Sequence, residues 1–595
     1  MKKIFKNMAW MLTATLVMAA CSDSLDESSG NGNDLNADGT GYVKIALNLP
    51  STSGASTRAD SENDDFNDGL AAEYKVNNVI LALFYGEKES EAACKWATHL
   101  STNFSGTPSN NNITTKLEHV VSEVPQPEDG QSIYALAIIN GSGYFGVLNN
   151  ELTFDATGNS GTTPFTGKTL SKLFESASNV DLSKIASTDG EGSFMMTNAP
   201  ISDIASVASG TTWDPKITTL VNLKFYEDKT SAEKSPSDNI YVERVAAKVN
   251  VKINSKNNDN ILSIMEKETE VGKVVFNGWI LQTTNKKTYL VRNVGTAWKD
   301  WVKYYNTSAS KVNRFVGEAS DPYRTYWGID PNYSALVPEN DLANNFKIWS
   351  ANATPGDDAW LTPATNSMSS GEEKVAYCAE NTTIAKAMQQ DQLTGILLKA
   401  TYQNTQGTTA NIFTCNNVST IYPQSTILTS FTECVNQTAD PLTNGNQLDI
   451  ASEANGAIIT TVAELKKVVK VKANEGTLSD LSDTQAQAIL AAYSPIKFYK
   501  AGETFYYASL IKHFGDMYTP ANNIVNLDDY NENDHLGRWG VVRNNWYELS
   551  INSVSGLGEP TIPDNPELPA DTEDRYINCT INVLSWAKRS QGVDL

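Results

Sequence analysis

Histidine is nearly absent. Four occur in 595 residues, His99, His119, His513 and His535, and they are scattered along the chain. No HExxH run and no GxSxG run is present, which removes the local signatures of a zinc hydrolase and of a serine nucleophile on a strand-to-helix turn. The four histidines are expected at the surface. Cysteine is sparse too, and its six residues form no CxxC or Cys/His pattern with zinc spacing, so no metal and no cofactor is expected. Cations are in the minority, with 46 Lys and Arg against 69 Asp and Glu, a net charge of −23. Phosphate backbones are bound by clustered cations, so nucleic acid is not an expected partner. The charge reads instead as the surface of an acidic, soluble, secreted protein. Beyond the N-terminal segment every apolar run is shorter than the roughly 20 residues that span a bilayer.

The N-terminal segment is the most informative part of what is present. Lys2, Lys3 and Lys6 make a basic head, Met8 to Ala20 a short apolar core, and Val17-Met18-Ala19-Ala20-Cys21 a small-residue cleavage site. This is a signal peptide over residues 1–20, and the cysteine that follows makes it a lipoprotein signal with lipidation at Cys21. Several acyl chains on one cysteine anchor firmly because buried methylenes add. Asp23, Asp26, Glu27, Asp34 and Asp38 follow with no Lys or Arg among them, a composition expected to stay disordered. Gly41 to Leu49 then alternates, with Val43, Ile45, Leu47 and Leu49 opposed by Lys44 and Asn48, and Thr57-Arg58-Ala59 follows in a polar stretch. An anchor, a strand and then an exposed arginine suggest a strand that a trypsin-like protease can remove by cutting between Arg58 and Ala59. With Cys21 lipidated, Cys94, Cys378, Cys415, Cys434 and Cys579 remain, an odd number. Cys415 and Cys434 are able to pair in an oxidising compartment, but buried thiols are the expected state.

The body reads as strands between Gly, Asn and Pro turns: residues 77–85, 132–139, 242–253, 273–281, 393–402, 496–500 and 505–510. In residues 242–253 the residues Val245, Ala247, Val249, Val251 and Ile253 fall on one face. Many short strands at such spacing indicate β-sandwiches. Helices are few. Trp298, Trp301, Val302 and Tyr305 share one helical face, and Thr461-x-x-Glu464 and Ser482-x-x-Gln485 are capping boxes before short amphipathic runs. A polar stretch, Asp228 to Asp238, suggests a domain boundary near residue 240. Gly141-Ser142-Gly143-Tyr144-Phe145-Gly146 fits GxGxxG after a strand, but Val147 to Phe154 offers only a brief helix and no βαβ series follows, so it is expected to be a glycine-rich loop. Tyr323-Arg324-Thr325-Tyr326-Trp327 has the aromatics to stack on sugar rings, with packing the commoner use of such a cluster.

The far end mirrors the beginning. Pro560, Pro563, Pro566 and Pro569 recur every third residue, which favours a stiff extended segment. Ile577, Cys579, Ile581 and Val583 then alternate with Asn578, Thr580 and Asn582. Two strands of matching pattern are thus expected outside the body, each on a flexible or extended linker and each able to fill one groove in a sandwich that lacks a strand.

With these features the chain resembles the type V pilins of Bacteroidales, specifically the major fimbrillin of the minor-fimbria type. The resemblance rests on the lipobox, Arg58, residues 243–249 (ERVAAKV), 377–382 (YCAENT) and 541–547 (VVRNNWY), and the ending 583–586 and 593–595. Met18 stands where the lipobox usually has Leu, and Ser585 where a relative can carry Pro. The resemblance implies a mainly β fold of two transthyretin-like β-sandwich domains with a few inserted short helices. Laid on this chain, it gives a signal peptide over 1–20, a lipidated tether and removable strand over 21–58, sandwiches over 59–240 and 241–559, and a Pro-rich linker with donor strand over 560–595. It also implies display on the outer membrane, aided by the acidic tether, and cutting after Arg58 by an arginine-specific protease. A donor strand from another copy would then be inserted, building a fimbrium that supports adhesion. The implied partners are other copies of the chain, accessory fimbrial subunits, that protease, the outer membrane through lipid, and host or bacterial surface receptors. The chain is not expected to be an enzyme. The alternative is a surface glycan-binding lipoprotein that stays whole and does not polymerise, with a lipoprotein hydrolase built on a carboxylate pair as the remoter third.

Overall fold

The computed structural model describes residues 35–36, 38–49, 70–101, 116–141, 143–159, 163–189, 192–203, 216–295, 323–325, 327–333, 337–365, 374–514, 519–520, 524–564, 566–572 and 577–585. The signal peptide, Cys21, Arg58, Ala59, the helix expected around Trp298 and the last ten residues lie outside that set.

The fold is mainly β, with two β-sandwich domains. The first is built from β1 (Thr40–Asn48), β2 (Val79–Gly86), β3 (Ala93–Leu100), β4 (Lys116–Pro125), β5 (Ser132–Ile139), β6 (Met196–Asn198), β7 (Val221–Leu223), β8 (Phe225–Tyr226) and β9 (Asp238–Arg244). Their hydrogen-bonded order is β8-β1-β9-β6-β5-β2-β3, with β7 on β5 and β4 on β1. Both β2 and β5 are near-continuous apolar runs and almost wholly buried, as expected for strands covered on both faces.

The second domain starts with β10 (Ala246–Ile253), β11 (Ile261–Glu266), β12 (Thr269–Gln282), β13 (Val375–Ala379) and β14 (Gly395–Gln403). The chain then leaves the sheet for an α/β unit containing β15 (Ile412–Cys415), α1 (Gln424–Asn436), β16 (Ala457–Ile459), α2 (Val462–Val468), α3 (Asp483–Tyr493) and β17 (Ile496–Tyr499). It returns as β18 (Glu503–Leu510), β19 (Asn545–Val554) and β20 (Ile577–Ser585). The order is β13-β10-β19-β11-β12-β14-β18, with β20 on β19.

Three expectations need correction. The stretch 242–253 is two strands rather than one. The ladder breaks at Val245, whose N–H turns to Met195 O (2.9 Å), so β9 ends in the first sheet and β10 opens the second. Residues 411–499 are not a plain part of the second sandwich. They hold a core of their own, with Phe413, Phe431, Phe498, Leu465 and Ile489 buried together, while β14 and β18 on either side pair directly with each other. Val147 to Phe154 is not helical but part of a hairpin of Phe145–Leu148 with Glu151–Phe154. Both capping boxes form: Thr461 accepts from Glu464 N at the start of α2, and Ser482 accepts from Gln485 N at the start of α3.

Candidate assembly site

β1 is bonded along both edges. On one side it runs antiparallel to β4, from Thr40 opposite Pro125 to Asn48 opposite Lys116. On the other it pairs with β8 through Tyr42 and Val43, then runs parallel to β9 with Ala46 opposite Asn239 and Asn48 opposite Tyr241. Val43 and Ile45 are fully buried, and Leu47 and Leu49 nearly so. Ala46 on the other face is buried as well, and on that face Lys44 Nζ donates to Glu233 O (3.0 Å) and Ser235 O (2.9 Å) at the end of the short helix Lys229–Lys234. At about 1.5–3 kcal/mol for each large side chain taken from water, the four apolar residues hold the strand by on the order of 6–12 kcal/mol before entropy. Gly41 lies where β1 presses on β8: a Cβ there would fall 2.5 Å from both Phe225 Cζ and Tyr226 O. Every ladder partner of β1 belongs to residues 116–125, 225–226 or 238–241, so the strand joins the following body covalently only through residues 50–69.

The three internal stretches that carried the resemblance meet in space, at the passage from one sheet to the other. Glu73, in the turn Ala71–Glu73, is fully buried and accepts from Lys248 Nζ (2.8 Å) and Tyr377 Oη (2.6 Å). Its carbonyl accepts from Arg244 Nε (2.7 Å), whose own N–H reaches Asn544 Oδ1 (3.3 Å). Lys248 Nζ also stands 3.8 Å above the Trp546 ring, a favourable cation–π placement. Beside it Arg292 grips Glu243 with two bonds (2.8 and 3.0 Å), and Arg543 reaches Glu380 Oε1 (2.5 Å). Burial pulls the Glu73 carboxyl upward, but Lys248 and the hydrogen bonds from Lys248 and Tyr377 outweigh it and hold the group below its ordinary value. Burial also pulls Arg244 down to about 10. Such pairs add little net stability over apolar residues, yet removing one partner is costly; they fix how the two sheets meet. In the sequence these charges look like ordinary surface residues, and the only hint was their place inside apolar strand runs.

The C-terminal strand occupies the second sheet. β20 runs antiparallel to β19, from Ile577 opposite Val554 to Ser585 opposite Asn545. The structure therefore places β1 and the segment bearing Ile577, Cys579, Ile581 and Val583 in different sheets, not in one groove and not outside the body. The described part of the proline-rich segment bends at residues 560–561 and 567–568, and it is tied down rather than free. Phe505 and Glu559 exchange backbone bonds (both 2.8 Å), and Ala570 N donates to Met388 O (2.9 Å). Asp571 ends it in a clamp, accepting from Arg538 Nη2 (2.6 Å), Tyr530 Oη (2.8 Å) and Trp539 Nε1 (2.9 Å).

The other candidates fall within the scaffold. Trp327 and Arg324 of the aromatic cluster are buried, with Arg324 Nη2 donating to Val242 O (3.2 Å), so they offer no sugar platform. The histidines are not all at the surface: His535 is buried with Nδ1 accepting from Asn531 N (3.0 Å), and half-buried His513 bonds Tyr547 Oη (2.8 Å). The GxGxxG stretch turns directly into a strand, with Phe145 N donating to Gly141 O (2.9 Å), so no helix N-terminus faces a phosphate. Cys94, Cys378, Cys415 and Cys434 are all free thiols. Among the described residues no group of three His, Cys, Asp or Glu is placed to hold a metal, and no helix is long and apolar enough to cross a membrane.

Residues 497–592, which run from β17 through the Asp571 clamp and β20, match the family model for the C-terminal region of fimbrillin, major fimbrial subunit protein type IV. This C-terminal region is similar to that of the fimbrillins. No curated protein matches this chain in sequence. Among solved structures, the fimbrilin of Porphyromonas gingivalis is similar at 12% identity and TM-score 0.32, over 92% of this chain and 99% of that one. A candidate cell adhesion protein of Parabacteroides distasonis is similar at 13% identity and TM-score 0.35, over 92% and 98%. The tip fimbrial protein Mfa3 of Porphyromonas gingivalis is similar at 9% identity and TM-score 0.28, over 92% and 100%. Overlaps this loose carry no functional conclusion.

Proposed function

We propose that this chain is a fimbrillin and serves as the repeating shaft subunit of a cell-surface fimbrium. It is exported as a lipoprotein on Cys21, held at the outer membrane by lipid, and cut between Arg58 and Ala59 by an arginine-specific protease. The cut frees β1, and the groove between β4 and β9 takes residues 577–585 of another copy. The observation that carries this reading is the placement of β1: a strand bonded on both edges, with four buried apolar residues, joined to the body behind it only through the segment that contains Arg58. While uncut, β1 fills its own groove intramolecularly, and its high effective concentration excludes a competitor. Once cut, that advantage ends and strand addition from a neighbour uses the same backbone ladders and pockets. Each copy then has one groove and one donor strand. The contact is heterologous and does not close, so it propagates as a filament. Accessory subunits that lack one of the two elements would end the filament, and adhesion to host or bacterial receptors would follow from its display.

The test is to treat purified wild type and Arg58→Ala with a trypsin-like protease, followed by mass spectrometry and negative-stain microscopy. Wild type should lose everything up to Arg58 and form filaments, while the variant stays monomeric. A cleaved chain that keeps residues 577–585 and never polymerises would overturn the shaft assignment.

A further inference from the structure

We propose that the incoming donor strand docks in one register, with its Thr580 at the position that Ala46 of β1 occupies. The inference rests on the strand-exchange reading above and sets which donor residue enters which pocket. β1 and β20 are both nine-residue strands. The groove offers four enclosed apolar positions, now filled by Val43, Ile45, Leu47 and Leu49, symmetric about Ala46. The donor supplies four alternating apolar residues, Ile577, Cys579, Ile581 and Val583, symmetric about Thr580. Centring one set on the other fills every pocket, whichever direction the donor runs.

Other registers fail for identifiable reasons. A slip of one residue turns the polar set Asn578, Thr580 and Asn582 into the core. A slip of two puts either Arg575 or Ser585 into one of the four pockets, and an unpaired charge or hydroxyl there is unfavourable. It also places an asparagine amide, with both donor and acceptor ends to satisfy, at position 46, where Ala46 is fully buried, whereas the centred register puts there Thr580 with a single hydroxyl. In the centred register an asparagine falls on position 48 in either direction, the residue type already there: Asn48 Nδ2 donates to Asn239 Oδ1 (3.2 Å).

Ala46 lies opposite Glu118 of β4, and directly opposed residues on neighbouring strands are close enough for a disulfide. Glu118→Cys is therefore combined, one at a time, with Asn578→Cys, Thr580→Cys and Asn582→Cys in the full-length chain. Each double variant is cut at Arg58, assembled and oxidised. Cys579 lies on the opposite face of the donor and does not compete. The expected result is a ladder of covalent oligomers on non-reducing gels with Thr580→Cys, at least tenfold more abundant than with either neighbour. Filaments that cross-link best through position 578 or 582 overturn the register while keeping strand exchange. Filaments that cross-link through none of the three overturn both.

Discussion

Replacing Glu73 by alanine should be one of the most damaging single changes available at the junction of the two sheets. The carboxylate is fully buried, and Lys248, itself only 3% exposed, is its ion-pair partner at 2.8 Å. Deletion takes the carboxylate partner from Lys248, leaving that ammonium inside the protein beside the Trp546 ring, and removes one hydrogen-bond partner of the Tyr377 hydroxyl. Removing one member of a buried pair costs about 3–5 kcal/mol, a large share of the net stability of a domain. Urea unfolding followed by circular dichroism measures the loss. Adding Lys248→Met to Glu73→Ala should restore about half or more of it, because the buried charge that lost its carboxylate goes too. The pH dependence has a fixed sign. The folded carboxyl lies below its ordinary value of 4.5, so its contribution is complete above that value and is lost as the pH falls through the folded pKa. Glu73→Ala should accordingly flatten the acid side of the stability profile. A loss below about 1 kcal/mol, or no recovery in the double variant, would refute the view that this pair sets how the two sheets meet.

Asp330 should give the opposite slope. It is buried and accepts from Asn332 N (2.8 Å), Thr382 N (3.0 Å) and Asn285 Nδ2 (2.5 Å), yet burial still pushes it up to about 7. A folded pKa above the unfolded one means that stability falls as the pH rises from about 4 to 7, and thermal unfolding of Asp330→Asn over that range should lack this component. Gly41→Ala should weaken the docking of β1 by about 1–3 kcal/mol, since the added methyl meets the Phe225 ring and the Tyr226 carbonyl. The readout is hydrogen exchange along β1, which should speed up by about fivefold or more while β2 and β5 stay protected.

Local pattern was legible without the structure. The alternation of Val43, Ile45, Leu47 and Leu49, the apolar run 132–139, and the boxes at Thr461 and Ser482 all form as read, because side-chain period and capping depend on a few adjacent residues. The C-terminal fimbrillin region was legible for the same reason, as a string of short motifs in order. Tertiary structure alone decided what those pieces pair with. Nothing near Glu73 announces that its cation lies at Lys248, or that Arg244 meets Asn544, 300 residues further on. Nor does a strand run reveal that Val245 divides it between two sheets, or that residues 411–499 close on a core of their own. Strand partners and buried charges are chosen across long loops, where the enthalpy of a contact is won only after the chain has closed. The sequence by itself determined which segments are strands and which residues face inward; the tertiary structure decided which groove each strand fills and which charges lock the sheets together.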